Sequence, residues 1–135
     1  MIKLTKKESE IMDIIWKENI PLTATEIQES GTDMSVYSVQ QVLQRLLSME
    51  FLKVTGIKQN KKAYARQFAA NISESEYISS FINNKETELQ LATNCIKHNN
   101  DLETILQLEE LIKQKREELE KEEQKSSRKQ VVENK

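Results

Sequence analysis

Between Ser35 and Met49 two kinds of residue share one helical rhythm. Val39, Val42, Leu43, Leu46 and Leu47 recur at intervals of three and four, the spacing of a helix with one buried face. The other face carries Tyr37, Ser38, Gln40, Gln41, Gln44, Arg45 and Ser48. A side-chain amide offers a donor and an acceptor side by side and can pair bidentately with an adenine edge; a guanidinium can do the same with guanine or phosphate. Tyr37 and Ser38 can reach phosphate oxygens or a thymine methyl. The 35–49 helix is therefore expected to be a recognition helix whose first turns enter the major groove of duplex DNA. The bland alternative is a solvated face, because glutamine is a common filler of helix surfaces.

A second group of candidates follows directly. Lys58, Lys61 and Lys62 fall in the polar stretch 56–62, expected to be a hairpin tip, with Lys53 and Arg66 on its flanks. From Arg45 to Arg66 six basic residues face one acid, Glu50. Such a wing can touch the DNA backbone or the adjacent minor groove. Lysines also decorate hairpins simply to keep strand edges from pairing, and the two roles are compatible.

Other chemistries have little to stand on. His98 is the only histidine and Cys95 the only cysteine. A Cys95–His98 dyad would lack an orienting third group, and Cys95 lies on an apolar stripe, where a buried small hydrophobe is expected. There is no glycine-rich phosphate loop and no paired-cysteine metal motif, so neither an enzyme nor a cofactor is expected.

The elements that would position these residues are legible from caps and periodicity. Thr5 with Glu8 forms a capping box ahead of Ile11, Met12, Ile14, Ile15 and Trp16. Pro21 closes that segment. Thr23 with Glu26 opens a short second helix, which Gly31 stops. Ser35 caps the third. Phe51–Thr55 reads as a strand and Ala63–Phe68 alternates as its returning partner. Three helices and a hairpin make a winged helix-turn-helix, so the expected class is mainly α with a small β-hairpin.

Ser73 with Glu76 opens the second half. An apolar stripe runs through Tyr77, Ile78, Phe81, Ile82, Leu91 and Ile96. After a break at His98–Asn100, Asp101 caps a last helix in which Ile105, Leu108, Ile112 and Leu119 follow at three and four, with Lys115 interrupting. A lone helix cannot bury such a stripe, and a second copy of the chain is the simplest partner. The expected organisation is a DNA-binding domain over 1–70, a helical dimerisation arm over 71–120, and a polar, frayed tail over 121–135.

Composition sets the bounds. The 135 residues carry a formal charge of −2, with 31% charged side chains and only two glycines and one proline, which favours helix. The average hides an asymmetry: residues 1–70 hold ten basic against eight acidic residues, and 71–135 ten against fourteen. Local charge matters more to a phosphate backbone than the global sum, because salt screens beyond about 8–10 Å. The opening MIKLTKKESE has no apolar signal core, and a single cysteine suits a reducing compartment, so a cytoplasmic location is expected. No apolar run approaches the roughly 20 residues of a membrane span.

The order Leu4-Thr5, Glu10-Ile11-Met12-Asp13-Ile14-Ile15-Trp16, Pro21-Leu22-Thr23-Ala24-Thr25-Glu26-Ile27, Ser35-Val36-Tyr37-Ser38-Val39, Leu43-Gln44-Arg45-Leu46 and Ala63-Tyr64-Ala65-Arg66-Gln67-Phe68 resembles the penicillinase-repressor (BlaI/MecI/CopY) family. The resemblance covers residues 1 to about 82 well and the arm loosely. It implies a winged-helix homodimer that binds a palindromic operator and represses adjacent genes. Val36 and Tyr37 stand where family members often carry Pro and Lys, and Gln40 where a basic residue is usual. The Cys-x-Cys pair of the copper-responsive branch is absent. The antibiotic-responsive branch is cleaved after an Asn in the arm; Asn94-Cys95 lies near that place, which implies a sensor protease as a further partner. The reading from another class is a winged-helix protein-interaction module that binds no DNA, which the acidic overall charge and the single cation of the 35–49 helix would suit.

Overall fold

The computed structural model describes residues 1–60 and 63–133. Three helices come first: α1 (Lys6–Glu18), α2 (Ala24–Glu29) and α3 (Val36–Ser48). Both expected capping boxes form. The Thr5 and Thr23 hydroxyls accept from the Glu8 and Glu26 amides, and those glutamates accept the Thr5 and Thr23 N–H groups in return. Each box satisfies amides that a helix start would otherwise leave unpaired. Asn19 ends α1 in the left-handed region (φ 53), and Gly31 follows α2 at φ 133, a conformation that disfavours any Cβ.

The hairpin pairs β1 (Leu52–Asn60) with β2 (Ala63–Ala70) in antiparallel register, from Leu52 opposite Ala70 to Asn60 opposite Ala63. β1 is longer than expected. A bulge between Val54 and Gly56 breaks its alternation, so the stretch expected to be a loose tip continues as strand through Asn60. Leu22 adds a short bridge to Phe68, with the two backbones exchanging bonds of 2.9 and 2.7 Å.

One core lies beneath these elements. Ile11, Met12 and Ile15 of α1, Ile27 of α2 and Val39, Val42, Leu43 and Leu46 of α3 are buried, closed by Leu22, Phe51, Leu52 and Phe68. The stripe of α3 identified from spacing is thus its inward face.

The first compact unit spans Met1–Asn83, past the boundary expected at 70. The physical reason is α4 (Glu74–Ser79) and its Tyr77. The Tyr77 hydroxyl accepts the Leu4 N–H at 2.9 Å, and its ring meets those of Trp16, Phe51 and Phe81 at centroid distances of 5.8, 5.7 and 5.0 Å. The Trp16 indole N–H donates to the Ile72 carbonyl at 3.0 Å. Tyr77, expected on a dimer stripe, packs half-buried against the core of its own unit.

The second unit, Asn84–Lys135, holds α5 (Lys85–Lys97) and α6 (Leu102–Glu133). Residues 121–133, where a frayed tail is expected, continue α6 as helix. Glu, Lys, Gln and Arg are good helix formers, and no glycine or proline interrupts them. Pairs such as Arg116–Glu120 at 3.8 Å add support along the exposed face.

Candidate nucleic-acid interface

The helix-turn-helix is held by local bonds. Thr32 is buried, and its hydroxyl accepts the Met34 N–H at 3.2 Å across the turn. The Ser35 hydroxyl accepts the Ser38 N–H at 3.2 Å and so starts α3 as expected. With Leu43 fixed in the core, Gln40, Gln41 and Gln44 project outward and are exposed.

These three amides form one side of an open groove of about 470 Å³. β2 contributes Tyr64, Ala65, Arg66 and Phe68, and Ala24 at the start of α2 also lines it. The groove brings the recognition-helix candidates and Arg66 of the wing together. The Arg66 guanidinium lies 5.3 Å above the Phe68 ring, a cation–π contact that steadies it at the rim. Tyr37 and Tyr64 are 71% and 73% exposed, an unusual outlay of aromatic surface for a lone domain. Tyr64 was missed by sequence reasoning, although its place in the alternation of β2, two residues before Arg66, puts it on the same face.

Two other candidate cations are already engaged. Arg45 Nε donates to Glu8 Oε2 at 3.4 Å, and Lys58 Nζ to Glu26 Oε2 at 3.0 Å. In both cases the other carboxylate oxygen, Oε1, accepts the capping-box N–H at 2.9 Å. The Thr5 N–H chiefly holds the Glu8 carboxyl below its ordinary value; burial opposes this, and the Thr5 side chain and Arg45 add to it. The Thr23 N–H does the same for Glu26, followed by Lys58. Arg45 therefore braces α3 against α1, a use that its position on the outer face did not foretell. Lys61 and Lys62 lie outside the described residues.

The remaining candidates belong to the helices that follow. Ile78 and Phe81 are exposed and Ile82 half-buried; Leu91 and Ile112 are exposed, Ile105 and Leu108 half-buried. Cys95, expected to be a buried hydrophobe, is exposed, as is Asn94, whose carbonyl lies 2.8 Å from His98 Nδ1. Among the described residues no three His, Cys, Asp or Glu side chains converge as a metal site, and no helix is long and apolar enough to cross a membrane.

The penicillinase repressor family model matches residues 4–125. No curated protein sequence matches the chain. Among solved structures, the adhesin competence repressor of Streptococcus pyogenes is similar at 16% identity with a TM-score of 0.39, over 88% of this chain and 82% of that one. With nearly the whole chain matched, three helices and a wing around one core, and an amide-lined α3 facing outward, the protein belongs to the penicillinase repressor family of winged-helix transcriptional regulators.

Proposed function

We propose that this protein is a homodimeric, cytoplasmic repressor that grips a palindromic operator with two copies of α3 and two wings. One observation carries the reading: Gln40, Gln41 and Gln44 open with Tyr64 and Arg66 onto a single solvent-filled groove, although nothing within the unit needs them there. Amides and a steadied guanidinium on one surface combine base-edge hydrogen bonding with phosphate attraction. The exposed Leu91, Leu102, Leu106, Leu111 and Ile112 of the second unit support self-association, since apolar helix surface of this extent is unfavourable in water. In such a dimer the two recognition helices would meet half-sites about 34 Å apart.

Footprinting and gel shift on fragments from the chain's own upstream region test this. A protected inverted repeat is expected, with affinity falling steeply as salt rises, near a log–log slope of −3.6 if four side chains contact phosphates. Ile112→Glu should shift the sedimentation equilibrium toward monomer and weaken that footprint. Binding to protein alone, with no salt-dependent DNA shift, would leave the interaction-module reading in its place. The exposed Asn94–Cys95 bond is the proposed point of inactivation; its survival after incubation with a sensor protease would remove that role.

A further inference from the structure

Glu26 does two jobs at once. Its Oε1 accepts the Thr23 N–H at 2.9 Å and its Oε2 receives the Lys58 ammonium from the wing at 3.0 Å. An exposed ion pair ordinarily gains little, because two long side chains must be held still. Here one partner is already fixed. The capping box orients the Glu26 carboxylate whether or not Lys58 is present, so only the lysine gives up freedom. Glu26 is also partly withdrawn from solvent, at 33% side-chain exposure against 51% for Lys58.

The placement matters because of what lies beside it. Ala24, at the start of the same short helix, lines the groove together with the α3 amides and β2. Glu26 follows two residues later in that helix, so a phosphate backbone seated along the groove would run beside the pair, where salt does not yet screen it, over about 8–10 Å. From there the pair has no net charge. A free Lys58 would attract any duplex; a Lys58 held by Glu26 attracts none in particular. A contact of that kind adds to operator and non-operator binding alike, so cancelling it lowers the affinity for every duplex and the salt dependence with it, and leaves the ratio between them where the base contacts set it.

We propose that Glu26 sets the sequence-independent DNA affinity of the wing: from α2 it holds the Lys58 ammonium and so cancels one phosphate contact, on operator and other duplex alike, while discrimination stays with the amides of α3. The inference rests on the DNA-binding reading above.

The test uses the full chain and two duplexes of equal length, the footprinted upstream fragment and its scrambled counterpart, titrated over a range of KCl. Glu26→Gln keeps the capping box, which Gln serves as Glu does, and releases Lys58. The log–log slope should then steepen by about 0.9 for both duplexes, with both affinities rising several-fold at low salt and the operator-to-scrambled ratio unchanged. In the Lys58→Met background the same Glu26→Gln change should leave the slope where Lys58→Met alone puts it. An unchanged slope in Glu26→Gln overturns the proposal. So does an equal steepening in both backgrounds, which would mean that Glu26 merely repels DNA. Failure of the wild-type chain to bind either duplex is a different result, because it removes the repressor reading itself.

Discussion

Arg45 Nε and Glu8 Oε2 lie 3.4 Å apart and join the outer face of α3 to the first turn of α1. Glu8 is nearly buried, with 7% of its side chain exposed, while Arg45 is half open at 51%. Removing the guanidinium leaves the carboxylate with its Thr5 partners only. Losing both partners of a buried ion costs several kcal/mol, but Glu8 keeps its cap and Arg45 is well hydrated, so Arg45→Met should destabilise the first unit by about 1 kcal/mol. Urea unfolding measures this. Operator and scrambled duplex should weaken together, because a brace carries no sequence information. An unaltered urea midpoint combined with lost operator preference would return Arg45 to base reading.

The same carboxylates tie stability to pH. Glu8 and Glu26 are both held below the ordinary value of 4.5 in the folded chain, while the unfolded chain titrates near it. The unfolded state therefore takes up protons first as pH falls. The contribution is fully present above about 4.5 and is lost as pH drops through the lower folded values; between pH 7 and 5 it does not change. Urea midpoints for the wild type should fall below that window. The Glu8→Gln, Glu26→Gln double variant, which keeps both caps, should show a shallower fall. If its midpoint drops as steeply as the wild type's, other carboxyls govern acid unfolding.

Tyr77 separates folding from assembly. Its hydroxyl accepts the Leu4 N–H at 2.9 Å and its ring packs among three aromatic neighbours in the first unit. Tyr77→Phe keeps the ring and deprives a partly buried N–H of its acceptor, which should cost about 1 kcal/mol. Tyr77→Ala also forfeits the aromatic pairs, worth about 0.5–1.5 kcal/mol each, and should cost more. Sedimentation equilibrium of Tyr77→Phe should match the wild type. A weakened dimer with unchanged urea stability would put Tyr77 at the interface after all.

What the sequence discloses about this chain is what short-range physics writes into it. Thr5–Glu8, Thr23–Glu26 and Ser73–Glu76 were readable as caps because each box closes within three residues, and all three form. The buried stripe of α3 was readable because its period repeats. Arg45 and Lys58 are at the surface, where their positions in the sequence put them, but the carboxylates that engage them stand 37 and 32 residues away, beyond the reach of local pattern. The Tyr77–Leu4 bond spans 73 residues and is equally invisible to periodicity. The wing was read short because the bulge at Gly56 interrupts the alternation by which a strand is recognised. The last turns of α6 were read as loose because they lack an apolar stripe, yet propensity and ion pairing suffice for an exposed helix.

One residue just past the C-terminus of α3 is held in a strained backbone conformation. Glu50 sits at φ 64, just past α3, where its N–H bonds to the Leu47 carbonyl at 3.1 Å and the Phe51 N–H to the Leu46 carbonyl at 3.0 Å. This pair of bonds is the Schellman arrangement, in which glycine is the preferred left-handed residue. A side chain in that region costs about 1–2 kcal/mol, and glycine's greater freedom when unfolded returns about half of it. Glu50→Gly should therefore stabilise the chain by about 0.5–1 kcal/mol. Glu50 is also the only acid between Arg45 and Arg66, so charge must be separated from backbone strain. Glu50→Gln removes the charge and keeps the Cβ, and should leave stability near the wild type. Urea midpoints of the three proteins decide the matter: if Glu50→Gly is no more stable than Glu50→Gln, the left-handed cap is not a source of strain.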